Sequence, residues 1–218
     1  MPRSITKDRT YFTRAGSVTY ALPSPPFSSP VVTITLPPKS TWTSGLHWHE
    51  SHTEYLQIVR GSALVTLNNI TQVFTSENGI ITVPRFARHE WQRASTEGED
   101  LVVKEWTDPA DGQKEVFFRN LSSVILDCTK DGPPKEWWLT WQLFVVFWGL
   151  DNYPVFLKMA WVPLIGSLLE WALTHVLLVA AVFAGKIIGL RSVYGEYTPS
   201  TLFVASLAEN PTKNRKSK

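Results

Sequence analysis

One cysteine, Cys128, is all that the 218 residues contain. An internal disulfide framework is therefore excluded, and so is any zinc site built from cysteines. Excess charge is lacking too. Lys and Arg number 21 against 19 Asp and Glu, a net charge of +2, and a balance this even selects no polyanion. The first 130 residues hold no basic stripe interleaved with aromatics, so no nucleic-acid partner is expected. The opening run Met1-Pro2-Arg3-Ser4-Ile5-Thr6-Lys7-Asp8-Arg9 lacks an apolar core, and a cleaved secretory signal is not expected. On that expectation the sequons at Asn69 and Asn120 are chance matches. Internal repeats and low-complexity tracts are absent. Helical periodicity over 10–15 residues is also missing from the first half, which disfavours alternating strands and helices.

What is present divides the chain by composition. Residues 1–29 read as an N-terminal arm and 30–130 as a barrel. Residues 131–192 read as a hydrophobic helical membrane region, and 193–218 as a polar basic tail with Lys213, Arg215, Lys216 and Lys218. Short β-rich runs follow one another at Ser17–Leu22, Val31–Leu36, Gly45–His49, Glu54–Val59, Ala63–Leu67, Gln72–Thr75, Ile80–Val83, His89–Arg93 and Leu101–Trp106. Turn residues separate them, as in an all-β sandwich or barrel. Asn68-Asn69 reads as a hairpin turn, and Gly61 as a tight turn with positive φ.

Four of the five histidines lie at positions 47, 49, 52 and 89. Side chains alternate along a strand, so two histidines one residue apart share a face. A glutamate on the next strand and a histidine from a later one can converge there. Three imidazoles and a carboxylate suit a first-row transition metal with positions open for substrate or dioxygen.

The run His47-x-His49, four residues, Glu54, six residues, Gly61 resembles the first motif of the cupin family. Pro84, His89 and Trp91 are similar to the second. Thr41, Asn78, Phe86 and Arg93 depart from the pattern, standing where it has Gly, Gly, Gly and Asn. The resemblance covers roughly residues 30–107. It implies an all-β fold, a single jelly-roll barrel followed by a hydrophobic C-terminal helical region. It also implies a divalent transition metal held by His47, His49, Glu54 and His89. Iron is the first expectation; Mn, Ni, Cu and Zn are compatible with the same ligands. A homodimer by strand exchange is compatible with the family.

Other residues near the motif carry two readings each. His52 lies in the turn between ligand strands, either as an acid/base beside the centre or as a solvated loop residue. Glu50 is one step out of phase and should face away. Trp48 should pack outward under a flanking segment, and Tyr55 should face outward. Trp91 shares the face of His89 and is a candidate pocket wall. Arg85 and Arg88 flank the approach to His89, either as holders of an anionic or carbonyl group or as exposed loop arginines.

In the second half, Trp171–Leu190 is long and apolar enough to cross a bilayer core. Trp137–Leu150 is also apolar but is broken at Asp151-Asn152 and Pro154; Lys158 and Pro163 interrupt the stretch between. Tryptophans at 137, 138, 141, 148, 161 and 171 suit interfacial belts. A buried helical hairpin is the competing reading. The membrane reading favours two passes, with barrel and tail both cytosolic.

Glu105-Trp106-Thr107-Asp108-Pro109 and Phe117-Phe118-Arg119-Asn120-Leu121 are similar to stretches in small cupin proteins of fungal polyketide gene clusters. This resemblance implies a tailoring oxidoreductase acting on a polyketide-like, apolar small molecule, with a functional link to a polyketide synthase. Redox-neutral isomerisation, cyclisation or dehydration of a carbonyl intermediate stays open. So does ligand binding without turnover.

Overall fold

A computed structural model describes residues 3–23, 30–130, 132, 136–159, 162 and 165–209. Trp161, Pro163 and the basic residues Lys213, Arg215, Lys216 and Lys218 lie outside the described residues. Two compact units form, and neither is continuous in sequence. One joins Thr10–Asp111 to Asp151–Lys158; the other joins Met1–Arg9, Gly112–Leu150 and Met159–Lys218.

The first unit is built from eleven described strands: β1 (Tyr11–Arg14), β2 (Val18–Ala21), β3 (Val32–Leu36), β4 (His47–Trp48), β5 (Thr53–Arg60), β6 (Ala63–Leu67), β7 (Ile70–Phe74), β8 (Ile80–Val83), β9 (His89–Arg93), β10 (Leu101–Asp108) and β11 (Tyr153–Pro154). They form two antiparallel sheets, in the orders β1-β2-β3-β10-β5-β8 and β11-β4-β9-β6-β7. Burial alternates along the central strands. Val32, Ile34 and Leu36 of β3 point inward, as do Leu56 and Ile58 of β5 and Leu101 and Val103 of β10. Period-two alternation of this kind is what a sheet with one packed face requires.

Turn chemistry sets the registers. Asn68 and Asn69 both take positive φ, 48° and 70°, and join β6 to β7 in a two-residue hairpin. Gly61 has φ 77°, and a Cβ there would sit 3.0 Å from the Asp100 carbonyl oxygen. Two strands escaped the sequence reading. β1 lies in the segment read as an arm, and β11 is only two residues long.

The second unit holds α1 (Gln113–Thr129), α2 (Glu136–Gly149), α3 (Gly166–Ile187) and α4 (Ser200–Glu209). Helices follow the sheets as expected, but the all-β class is corrected to mixed content, 33% helix and 28% strand among the described residues. The physical reason is clearest in α1, whose buried residues include Glu115, Arg119, Asn120 and Ser123. These polar residues are interleaved with buried Val116, Phe118 and Val124, so no clean apolar stripe marks it as a helix. The Arg119 guanidinium donates to Glu115 Oε1 at 2.7 Å and to the carbonyls of Lys7 and Arg9 at 3.0 and 2.6 Å.

α3 buries one stripe, Gly166, Glu170, Thr174, Leu178, Ala181 and Gly185. This spacing marks a single helix face. Trp141 Nε1 of α2 donates to the Ala181 carbonyl, and a Cβ on Gly185 would meet Val145 at 2.9 Å. The opposite face of α3 leaves Leu168, Val176, Val179, Phe183 and Ile187 exposed. Among the described residues α3 is the one helix long and apolar enough to cross a membrane, with mean hydropathy 1.8 over its most apolar window. The 14 residues of α2 extend about 21 Å at 1.5 Å per residue. That is short of a hydrocarbon core of roughly 30 Å, so the two-pass expectation lacks a second span among the described residues.

Candidate metal centre

The motif histidines are delivered by the five-stranded sheet and the glutamate by the six-stranded one. His47 lies on β4, directly opposite His89 on β9. His49 follows the end of β4. Glu54 lies on β5, opposite Thr107 of β10 and Val83 of β8. All four side chains are buried, and one ligand atom from each lies within 4.8 Å of the others. Glu54 Oε2 is 3.1 Å from His49 Nε2, and Glu54 Oε1 is 3.2 Å from His89 Nε2.

Hydrogen bonds on the far side of each ring define the chemistry of this group. His47 Nδ1 meets the Gly45 carbonyl at 2.7 Å, and His89 Nδ1 meets the Ala87 carbonyl at 3.0 Å. His49 Nδ1 meets the Asp151 carbonyl at 2.5 Å. A carbonyl only accepts, so each Nδ1 carries a proton and each ring turns its Nε2 inward. Burial, followed by the neighbouring His89 and His49, holds His47 well below the usual imidazole pKa and keeps it neutral. His89 Nε2 is buried and makes no hydrogen bond. Three imidazole Nε2 atoms and a carboxylate thus converge, with His49 Nε2 hydrogen-bonded to Glu54 Oε2 at 3.1 Å. Imidazole with carboxylate is a donor set for Fe, Mn, Ni, Cu or Zn.

The residues around the ligands sort differently. Trp48 is fully buried, stacks on Tyr153 with ring centroids 5.6 Å apart, and donates Nε1 to Glu50 Oε1 at 3.1 Å. Tyr55 stacks on Trp106 at 5.6 Å. Trp91, inward on β9 two residues after His89, donates Nε1 to Glu105 Oε1 at 2.7 Å. Arg85 is exposed and its Nε donates to the Glu50 carbonyl. Arg88 donates to the Phe86 carbonyl, and its guanidinium lies 4.9 Å over the Trp48 ring. Both arginines thus brace backbone or ring. Phe86, standing where the cupin pattern has glycine, keeps a positive φ of 65° and donates its N–H to the His49 carbonyl at 2.6 Å.

His52 is neither solvated nor among the converging ligand atoms. It is buried, with Nδ1 2.7 Å from Asp151 Oδ2 and Nε2 2.9 Å from Asp111 Oδ2. Burial lowers its pKa, but the hydrogen bonds to Asp111 and Asp151 outweigh burial and raise it to about 9. Burial raises Asp151, but the hydrogen bond from His52 and the nearby His49 leave it below the usual carboxylate value. A protonated His52 with both ring N–H groups on carboxylates has no lone pair to offer as a base. Asp111, Asp151 and Glu105 were missed from the sequence. Glu105 alone had a local signal, its inward phase on β10.

No family model matches the chain. Its relatives are fungal. The protein named probable oxidoreductase virH from Hypocrea virens is 29% identical over 156 residues, covering 70% of this chain and 66% of its own. Oxidoreductase iacF from Pestalotiopsis fici is 27% identical over 146 residues, covering 64% and 68%. The chain spans about two thirds of the length of these curated relatives. Solved structures with some likeness include CapF from Staphylococcus aureus, 17% identical, TM-score 0.36, covering 45% of this chain and 29% of that one. KdgF from Halomonas sp. is 15% identical, TM-score 0.35, covering 45% and 87%. A predicted oxalate decarboxylase from Thermotoga maritima is 19% identical, TM-score 0.35, covering 48% and 96%.

Proposed function

We propose that the chain is a metal-dependent oxidoreductase of cupin type, acting on an apolar, polyketide-like small molecule as a tailoring step beside a membrane. The observation that carries the metal is the convergence of three imidazole rings and the Glu54 carboxylate, one ligand atom of each within 4.8 Å of the others, with each Nδ1 on a backbone carbonyl. Redox chemistry is supported by the names of the two fungal relatives. The substrate class rests on the likeness of residues 105–121 to small cupin proteins of polyketide clusters. Membrane contact rests on the exposed apolar face of α3.

His47, His49, Glu54 and His89 would hold the ion, and iron or copper there would supply one-electron chemistry with dioxygen as the oxidant. The chain's own contribution is preorganisation. Backbone carbonyls hold the three Nδ1 atoms, and buried Leu56, Ile58 and Trp91 lie on the same strands as Glu54 and His89.

Elemental analysis of detergent-purified full-length protein, prepared without oxygen beside His47→Ala, tests the reading. Near-stoichiometric iron or copper in the wild type, lost in the variant, supports it, as does oxygen uptake with a phenolic β-ketone probe. Manganese, nickel or zinc without oxygen uptake replaces it with redox-neutral chemistry. Absence of metal from both proteins removes the mechanism.

A further inference from the structure

Two of the three ligand histidines are oriented locally. His47 and His89 each place Nδ1 on the carbonyl two residues earlier, so their tautomers come with their own strands. His49 differs. Its Nδ1 partner is the carbonyl of Asp151, 102 residues further along the chain.

Asp151 also holds the turn that follows His49. Its Oδ1 accepts from the Glu50 N–H at 2.9 Å and the Ser51 N–H at 3.1 Å, and its Oδ2 accepts from Ser51 at 3.0 Å and from His52 Nδ1 at 2.7 Å. The residue sits at φ 53°, in the left-handed region that aspartate tolerates better than most non-glycine residues. The following residues extend the grip. Tyr153 pairs with Trp48 and Pro154 with His47, and the Val155 N–H donates to the Leu46 carbonyl at 2.9 Å. The whole run from Leu46 to His52 is thus held by Asp151–Val155.

We propose that Asp151 is a positioning residue of the metal centre: its carbonyl sets the His49 tautomer, and its carboxylate closes the 50–52 turn that places the ring. The inference rests on the metal reading above and deepens it. One ligand of the centre is set by the short segment that returns to the sheets between α2 and α3 in sequence, and not by the histidine motif itself.

Cobalt(II) titration of the metal-free, full-length protein in detergent, followed by visible absorption, tests this. Asp151→Gly tolerates the left-handed backbone and removes the carboxylate, whereas Asp151→Asn keeps an acceptor oxygen for the Glu50 and Ser51 N–H groups. The expected result is a roughly ten- to hundredfold weaker affinity in Asp151→Gly, with an altered ligand-field band, and recovery of most of the affinity and of the native band in Asp151→Asn. Wild-type affinity and an unchanged spectrum in Asp151→Gly would overturn the proposal. If that variant does not fold, imidazole 1H–15N correlation spectra of the metal-free wild type decide. A proton on His49 Nδ1 supports the assignment, and a proton on Nε2 alone refutes it. Failure of the wild type to bind cobalt refutes the metal reading itself, and the tautomer result then still reports on Asp151 separately.

Discussion

His47 and His89 face each other across β4 and β9, with ring centroids 4.2 Å apart. Both imidazoles have Nδ1 committed to carbonyls and turn Nε2 towards the same point as Glu54. Glu54 is the one carboxylate among the three buried rings, placed both to ligate a cation and to hold the rings together.

Glu54→Gln should separate these two effects. The amide N–H can donate to His49 or His89 Nε2, so the metal-free variant should melt at or slightly above the wild-type temperature. Its metal affinity should fall at least tenfold, because the one anion of the set is gone. Thermal melts with chelator, beside a metal titration, check both parts. A large loss of metal-free stability would mean that the carboxylate is structural.

Removing residues 137–218 should not release an intact barrel. The truncation deletes β11 and Asp151, and with them the partners of Trp48, His47 and His49. The expected outcome for residues 1–136 is loss of stoichiometric cobalt binding. Full binding by the truncated chain would show that the 151–158 segment is dispensable.

Alkaline pH should weaken the fold through Tyr20. Burial raises its pKa from 10.0 to about 12, against the opposing effect of Arg14. The folded value is above the unfolded one, so this contribution is complete below pH 10 and is lost as pH rises towards 12. The slope is on the order of 1 kcal/mol per pH unit. Tyr20→Phe should therefore lose stability more slowly than the wild type between pH 10 and 12. Parallel slopes in denaturant titrations across that range would refute the assignment.

The exposed face of α3 should be what meets lipid. A lysine near the centre of a span costs about 2.5–3.5 kcal/mol on insertion scales. Val176→Lys combined with Phe183→Lys should therefore shift the chain from the membrane to the soluble fraction, or to aggregates. Unchanged, carbonate-resistant membrane association of the double variant would place the anchor elsewhere.

By itself, the sequence determined what depends on neighbours a few residues away. β-Rich runs bounded by turn residues marked nine of the strands, Asn68-Asn69 marked a hairpin, and the spacing of His47, His49 and Glu54 with His89 marked the candidate ligand set. These signals are local because strand period and turn conformation are local. Tertiary structure alone decided that α1 is a helix that buries Arg119 beside its apolar residues, since the partners of that guanidinium include the distant carbonyls of Lys7 and Arg9. It likewise decided that His52 is a clamped cation, because Asp111 and Asp151 lie 59 and 99 residues away. Asp151 shows the limit most clearly. In the sequence it only interrupts an apolar stretch, and its carbonyl reaches His49 because the chain returns to the sheets there, a placement that no local pattern of residues encodes.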